Sequence, residues 1–157
     1  MLLAKGADIN KSARRGIAFT PLQQACNIGT HSMVEFLLQN GAEVNSPGAK
    51  QSGGTALQLA AKCGSLKMAE LLLQLGADVH APAPEFGRGH TAFEWAAKEG
   101  RYHILLLLWS TAPREGFTTE ILQSAHELAR ENGHRGCDDI ITSMLHDASL
   151  GKLNPGS

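Results

Sequence analysis

The sequence predicts an all-α repeat solenoid, built from pairs of short helices that are joined by finger-like loops. Two short motifs recur along the 157-residue chain at one interval. The first reads TPLQ, TALQ and TAFE and starts at residues 20, 55 and 91. The second reads GADIN, GAEVN and GADVH and starts at residues 6, 41 and 76. Because two independent motifs share a period of 35 to 36 residues, we expect stacked, similar units.

Each unit has the pattern of two helices separated by a glycine. The glycine stands nine residues after the Thr of the first motif, at Gly29, Gly64 and Gly100, and is expected to end the first helix there. In the second unit, the apolar stripe of the second helix consists of Met68, Ala69, Leu72 and Leu73. The longest apolar run, Ile104 to Trp109, is far shorter than the roughly 20 residues that cross a bilayer and is predicted to be a core helix.

These motifs resemble the ankyrin repeat, whose signature is a period of about 33 residues with T-P-L-H-x-A, a turn and two helices. The resemblance implies a single domain at 1–147 and a flexible tail at 148–157. Within the domain we expect a partial repeat at 1–10, repeats at 11–45, 46–80 and 81–113, and a divergent capping repeat at 114–147, joined by β-hairpin-like fingers. The Pro-rich finger after residue 80 and the TAFEWAAKEGR that follows resemble the C-terminal ankyrin arrays of fungal multidomain proteins.

Several positions depart from the family pattern. The usual His after T-P-L is replaced by Gln23, Gln58 and Glu94, which can partly substitute in the hydrogen bonds of the turn. The third repeat lacks its closing Gly-Ala, so we expect an irregular link before the cap. Trp95 stands at a usual Leu position and is expected in the core, and Trp109 is expected to seal the third repeat against the cap.

The resemblance also nominates a binding face, because solenoids generally bind partners on the concave surface formed by the fingers and first helices. The nominated residues are Arg14, Arg15, Asn27, Lys50, Lys62, Phe86, Arg88, Lys98 and Glu99. Positive charge on the first fingers favours a protein partner with an acidic patch. Two alternatives stay open: Arg14 and Arg15 could be solvated loop charges, and Phe86 could pack onto its own finger.

Composition and spacing favour no other chemistry. Lys and Arg total 14 and Asp and Glu total 15, so the net charge of −1 provides no field for nucleic acid or a membrane surface. The 7 His and 3 Cys residues lack metal-ligand spacing, and no catalytic or nucleotide-binding motif occurs. We therefore expect no cofactor, no metal and no catalysis. Two alternatives are an enzyme or small-molecule binder with a pocket near Phe86, His90, Glu94 and Trp95, and a structural spacer.

The first ten residues carry two further expectations. They contain no signal-peptide core, which together with the widely spaced cysteines favours an intracellular, cytoplasmic or nuclear location with reduced thiols. Leu2 and Leu3 resemble the end of a second helix whose partner helix is not present in the sequence. We therefore expect a part of a larger signalling or scaffold protein, and possible self-association through this uncapped end.

Overall fold

A computed structural model describes residues 8–11, 19–48, 53–84 and 89–149. These residues contain eight α-helices in four consecutive pairs: α1 (Pro21–Ile28) with α2 (His31–Gln39), α3 (Ala56–Cys63) with α4 (Leu66–Gln74), α5 (Ala92–Lys98) with α6 (Tyr102–Thr111), and α7 (Thr119–Glu131) with α8 (Arg135–Ser149). The first helices pack in one row, from α1 through α3 and α5 to α7, and the second helices pack in another. This two-layer stack is the all-α solenoid that the repeated motifs predict.

The Thr that opens each repeat begins a first helix. The hydroxyl of Thr55 accepts a hydrogen bond from the amide of Gln58, and the Gln58 side chain accepts one from the amide of Thr55. The same reciprocal capping box occurs at Thr20 and at Thr91. It satisfies two backbone N–H groups that a helix start otherwise leaves unpaired, which explains why Thr and a Gln or Glu recur three residues apart.

The end of α3 requires glycine for two reasons. Gly64 has a φ of 87°, in the left-handed region that side chains rarely adopt. A Cβ atom at this position would also meet the outer end of the Arg101 side chain from the next repeat, which would have to shift. The glycine therefore ends the helix and makes room for the neighbouring repeat.

The glutamines at the family's His position tie each first helix to the finger loop that follows. Gln58 Nε2 donates to the carbonyl oxygens of Ala81 and Pro82 at 3.0 and 2.9 Å, while its Oε1 accepts from the amide of Thr55 at 3.0 Å. Gln23 makes the equivalent bonds to the carbonyls of residues 46 and 47. Gln23 and Gln58 therefore both connect the start of their helix to the following finger, in place of the family's His.

The third repeat uses a different arrangement, because a carboxylate cannot donate to a carbonyl group. Glu94 accepts hydrogen bonds from the amide and hydroxyl of Thr91, and its other oxygen accepts from the hydroxyl of Ser124 on α7. Glu94 thus connects the third repeat to the cap instead of to a finger.

A second set of polar side chains joins the turns of successive repeats. Asn45 Nδ2 donates to the carbonyl oxygen of Gly76 at 2.8 Å, and its Oδ1 accepts from the amide of Asp78 at 2.9 Å. Asn10 makes the corresponding pair of bonds one repeat earlier. At the same position of the next repeat, His80 Nε2 lies 3.1 Å from the carbonyl oxygen of Pro113. His80 therefore joins the turns of successive repeats from the position that Asn10 and Asn45 have in the preceding repeats.

The link before the cap is irregular, as predicted. The chain leaves α6 and makes a short 3₁₀ turn at Arg114–Gly116. Phe117 follows and is buried, with its ring centroid 5.0 Å from those of Phe93 and Trp109 and 4.8 Å from that of His80. Trp109 therefore helps to seal the third repeat against the cap.

The final helix continues through Ser149, two residues beyond the boundary predicted at 147. The remainder of the predicted tail lies outside the described residues. No helix in the described part of the chain has the length and apolar character needed to cross a membrane.

Candidate protein-binding face

Three successive repeats present a polar side chain at one equivalent position near the end of the first helix. Asn27, Lys62 and Lys98 each stand seven residues after the Thr of their repeat. Asn27 and Lys62 are exposed, and Lys98 is partly buried. The next position carries Ile28, which is 65% exposed, and Glu99, which is partly buried. We call the end of α1, α3 and α5 that carries these side chains the first-helix face.

The finger residues nominated from the sequence are not placed by the structure. Arg14, Arg15, Lys50, Phe86 and Arg88 all lie outside the described residues. Their role in binding therefore stays a prediction, and the described part of the site consists of first-helix residues.

Trp95 packs against the core, as expected, and part of its side chain stays exposed. Lys62 Nζ lies 4.7 Å and Lys98 Nζ 4.8 Å from the ring centroid, within the range of cation–π attraction. The His90 ring meets the same ring edge-on, with 4.8 Å between centroids. We call Lys62, His90, Trp95 and Lys98 the Trp95 cluster.

One half of this cluster could have been found in the sequence. Trp95 and Lys98 are three residues apart on a helix, a spacing that brings side chains together on one face. Lys62 belongs to the preceding repeat, and only the stacking of α3 on α5 brings it to the same ring. The apolar character of Trp95 predicts its packing on the core but not the partial exposure of its ring.

The electrostatics of the cluster favour two positive charges beside a neutral imidazole. Burial lowers the pKa of His90, and the nearby charge of Lys98 lowers it further, whereas Glu94 and Glu99 act in the opposite direction. Lys98 Nζ lies 3.2 Å from His90 Nε2, a distance at which the ammonium donates to the neutral ring. Among the described residues, neither Lys62 nor Lys98 lies within 4.0 Å of a carboxylate oxygen.

Of the residues proposed for an enzyme pocket, His90 and Trp95 are in contact, Glu94 is near enough to act on the pKa of His90, and Phe86 lies outside the described residues. The Glu94 carboxylate is occupied by Thr91 and by Ser124 on α7, and His90 faces Lys98 and Trp95. A cleft of about 400 Å³ lies elsewhere, between the bases of two successive fingers. Its lining residues include neither His90 nor Glu94. The Glu94 carboxylate and His90 Nε2 are engaged in hydrogen bonds within the protein.

The chain matches a family model described as ankyrin repeats (3 copies) over residues 1–83, more than half of its length. The chain belongs to the ankyrin-repeat family. A search of curated proteins gives no significant match. Ankyrin repeats are generally non-enzymatic modules for protein–protein interaction. The family assignment agrees with the helix pairs, the capping boxes and the repeat period.

Proposed function

We propose that this ankyrin array is a non-enzymatic module that binds a protein partner on its concave side, through the fingers and the first-helix face. The Trp95 cluster carries this proposal. Tryptophan is among the residue types enriched at the positions that contribute most to protein–protein binding. Here a partly exposed indole and two ammonium groups lie on one surface. Within the described residues, neither lysine forms an ion pair with a carboxylate.

The proposed site includes the finger residues together with the described positions. Its members are Arg14, Arg15, Asn27, Lys50, Lys62, Phe86, Arg88, Lys98 and Glu99. Six of the nine carry positive charge, and only Glu99 carries negative charge. This balance favours a partner with an acidic patch, because opposite charges increase the association rate and exclude competing surfaces.

The test compares two charge reversals that differ only in their location. Lys62 lies on the first-helix face and Lys67 on the second helix of the same repeat, and both are exposed. We expect proteins captured from a lysate of the source organism to be lost with Lys62→Glu and retained with Lys67→Glu. Both variants must first show the same unfolding midpoint as the original chain. Equal capture by the two variants would contradict the proposed face, and would favour the spacer alternative if both captured nothing.

The proposed setting is a larger signalling or scaffold protein in the cytoplasm or nucleus, in which residues 1–147 form one domain. The resemblance to fungal C-terminal ankyrin arrays supports this setting. An antibody against the array should detect a protein larger than 16.7 kDa in a cytoplasmic or nuclear fraction of the source cells. Detection of a 16.7 kDa protein alone, or detection of the protein in a secreted fraction, would contradict the proposed setting.

A second candidate function is self-association through the N-terminal end, and an apolar surface on α2 supports it. Met33 and Phe36 are each 48% exposed. Met68 and Ile104 have the position of Met33 in the two following repeats, and they are only 1% and 2% exposed. Their helices, α4 and α6, each pack against the second helix of the preceding repeat. Apolar side chains left uncovered at a solenoid end favour association.

Light scattering across a concentration series tests self-association. We expect a mass that rises with concentration in the original chain and returns to the monomer value with Phe36→Lys. Leu2→Lys with Leu3→Lys tests the part of the end that lies outside the described residues. A constant monomer mass in the original chain would exclude this function.

A further inference from the structure

We propose that the Trp95 cluster is the recognition site for an acidic segment of the protein partner, which places two carboxylates on Lys62 and Lys98 beside the ring of Trp95. This inference rests on the proposed function, since it names the chemistry that the first-helix face recognises. Its starting point is that two cations share one aromatic ring without a carboxylate partner among the described residues.

The charge arrangement favours a partner segment that carries two negative charges. Two like charges held beside one ring repel each other, and an anion placed against both removes that repulsion. The contacts between the lysines and Trp95 restrict the motion of the two side chains, so less conformational entropy is lost when a carboxylate binds. A partly buried ring also excludes water from one side of each ion pair, which strengthens the pair relative to a fully exposed one.

The geometry sets the spacing of the two acidic groups. Because each ammonium lies within 5 Å of the same ring centroid, the two nitrogens are no more than about 10 Å apart. In an extended segment, side chains at positions i and i+2 point to the same side and are separated by about 7 Å. A segment with acidic residues at i and i+2 therefore fits the two lysines, with the intervening side chain directed away.

The surroundings favour an acidic protein segment over a nucleic acid. The net charge of the chain is −1, so there is no long-range attraction for a polyanion. Glu99 follows Lys98 directly and is partly exposed, which disfavours a continuous row of phosphates along the face. Two lysines can satisfy two carboxylates locally, whereas nucleic-acid binding requires a longer basic track.

The direct test follows the indole N–H signal of Trp95 in a ¹H–¹⁵N spectrum. The chain contains 2 tryptophans, so a Trp95→Phe variant assigns the signal and Trp109 provides the internal reference. The probe is a capped peptide with glutamates at i and i+2 in an alanine background, and its control is the same peptide with glutamines. NMR titration detects the weak, millimolar binding expected for so short a segment.

We expect the glutamate peptide to shift the Trp95 signal and leave that of Trp109 in place, and the glutamine peptide to shift neither. Lys62→Gln and Lys98→Gln should each weaken binding by about threefold or more, as for the loss of one ion pair. The matched variant Lys67→Gln, on the second helix, should bind as the original chain does. Higher salt should weaken the glutamate complex in the original chain.

Three results would overturn the inference: no Trp95 shift at any peptide concentration, the same shift with the glutamine peptide, or a stronger response to a single-stranded oligonucleotide. Its failure can be separated from that of the proposed function. If a captured partner is lost with Lys62→Glu but kept by both lysine-to-glutamine variants, the face binds a partner and the acidic recognition is wrong. If the partner is kept with Lys62→Glu, the proposed face itself is wrong.

Discussion

Replacing Gln58 by methionine should destabilise the array substantially, although methionine has nearly the same length and shape. Gln58 is 1% exposed, and its side chain makes three hydrogen bonds, one to the amide of Thr55 and two to the carbonyls of Ala81 and Pro82. Methionine can make none of them. Three backbone groups, the amide of Thr55 and the carbonyls of Ala81 and Pro82, would then lose their partner.

The expected magnitude follows from these three bonds. A hydrogen bond contributes roughly 1 kcal/mol net, and a buried polar group left without a partner costs about 1–3 kcal/mol. Because water can reach some of the freed groups, we expect the free energy of unfolding to fall by about 2–4 kcal/mol, a large fraction of the total for a domain of this size. Denaturant unfolding followed by circular dichroism measures this change.

Two further measurements make the reasoning refutable. The variant Gln24→Met alters an exposed glutamine on α1, so its unfolding free energy should change by about 0.5 kcal/mol or less. Amide hydrogen exchange at Thr55 should become faster in Gln58→Met, since that N–H loses its acceptor. A loss below about 1 kcal/mol, with Thr55 still protected, would show that the side chain does not hold the finger.

Three other predictions concern packing and thiol chemistry. Gly64→Ala should lower the free energy of unfolding more than Gly76→Ala does, because both glycines have positive φ but only a Cβ at residue 64 would overlap a neighbouring side chain. The backbone strain alone is about 1–2 kcal/mol. Equal unfolding midpoints of the two variants would contradict the packing argument. Phe117→Ala should lower the unfolding free energy by about 3–5 kcal/mol, because the Phe117 side chain is only 3% exposed. Phe36→Ala should lower it by less than half as much, because Phe36 is 48% exposed. Similar losses in the two variants would contradict this difference in burial. Burial raises the pKa of Cys26 to about 12, so at pH 8 only about one thiol in ten thousand is ionised, and alkylation by iodoacetamide should become rapid only on unfolding. Rapid alkylation in the folded state, detected by mass spectrometry, would contradict the buried position.

The repeated motifs predict most of the fold because they encode local interactions. The Thr and the Gln three residues later are sufficient to form a capping box, and Gly64 is sufficient to end a helix. Those interactions need no knowledge of the rest of the chain. The irregular link before the cap was predictable for the same reason, since the third repeat lacks its closing Gly-Ala.

The candidate site was predictable only in part. Lys62 and Lys98 follow from their equivalent positions in the repeat, which the period of the sequence defines. A large apolar residue at a usual Leu position predicts that Trp95 packs on the core, as it does, but not that part of its ring stays exposed beside Lys62.

The repeat period, the helix pairs and the residues that begin and end them follow from the local sequence, because these depend on neighbours within a few positions along the chain. The way in which the repeats meet depends on tertiary contacts. These contacts place Glu94 against Ser124 instead of a finger carbonyl, and they bring Lys62 to the ring of Trp95. Contacts of this kind join residues about 30 positions apart, so they depend on the rise and rotation between repeats, which no local pattern specifies.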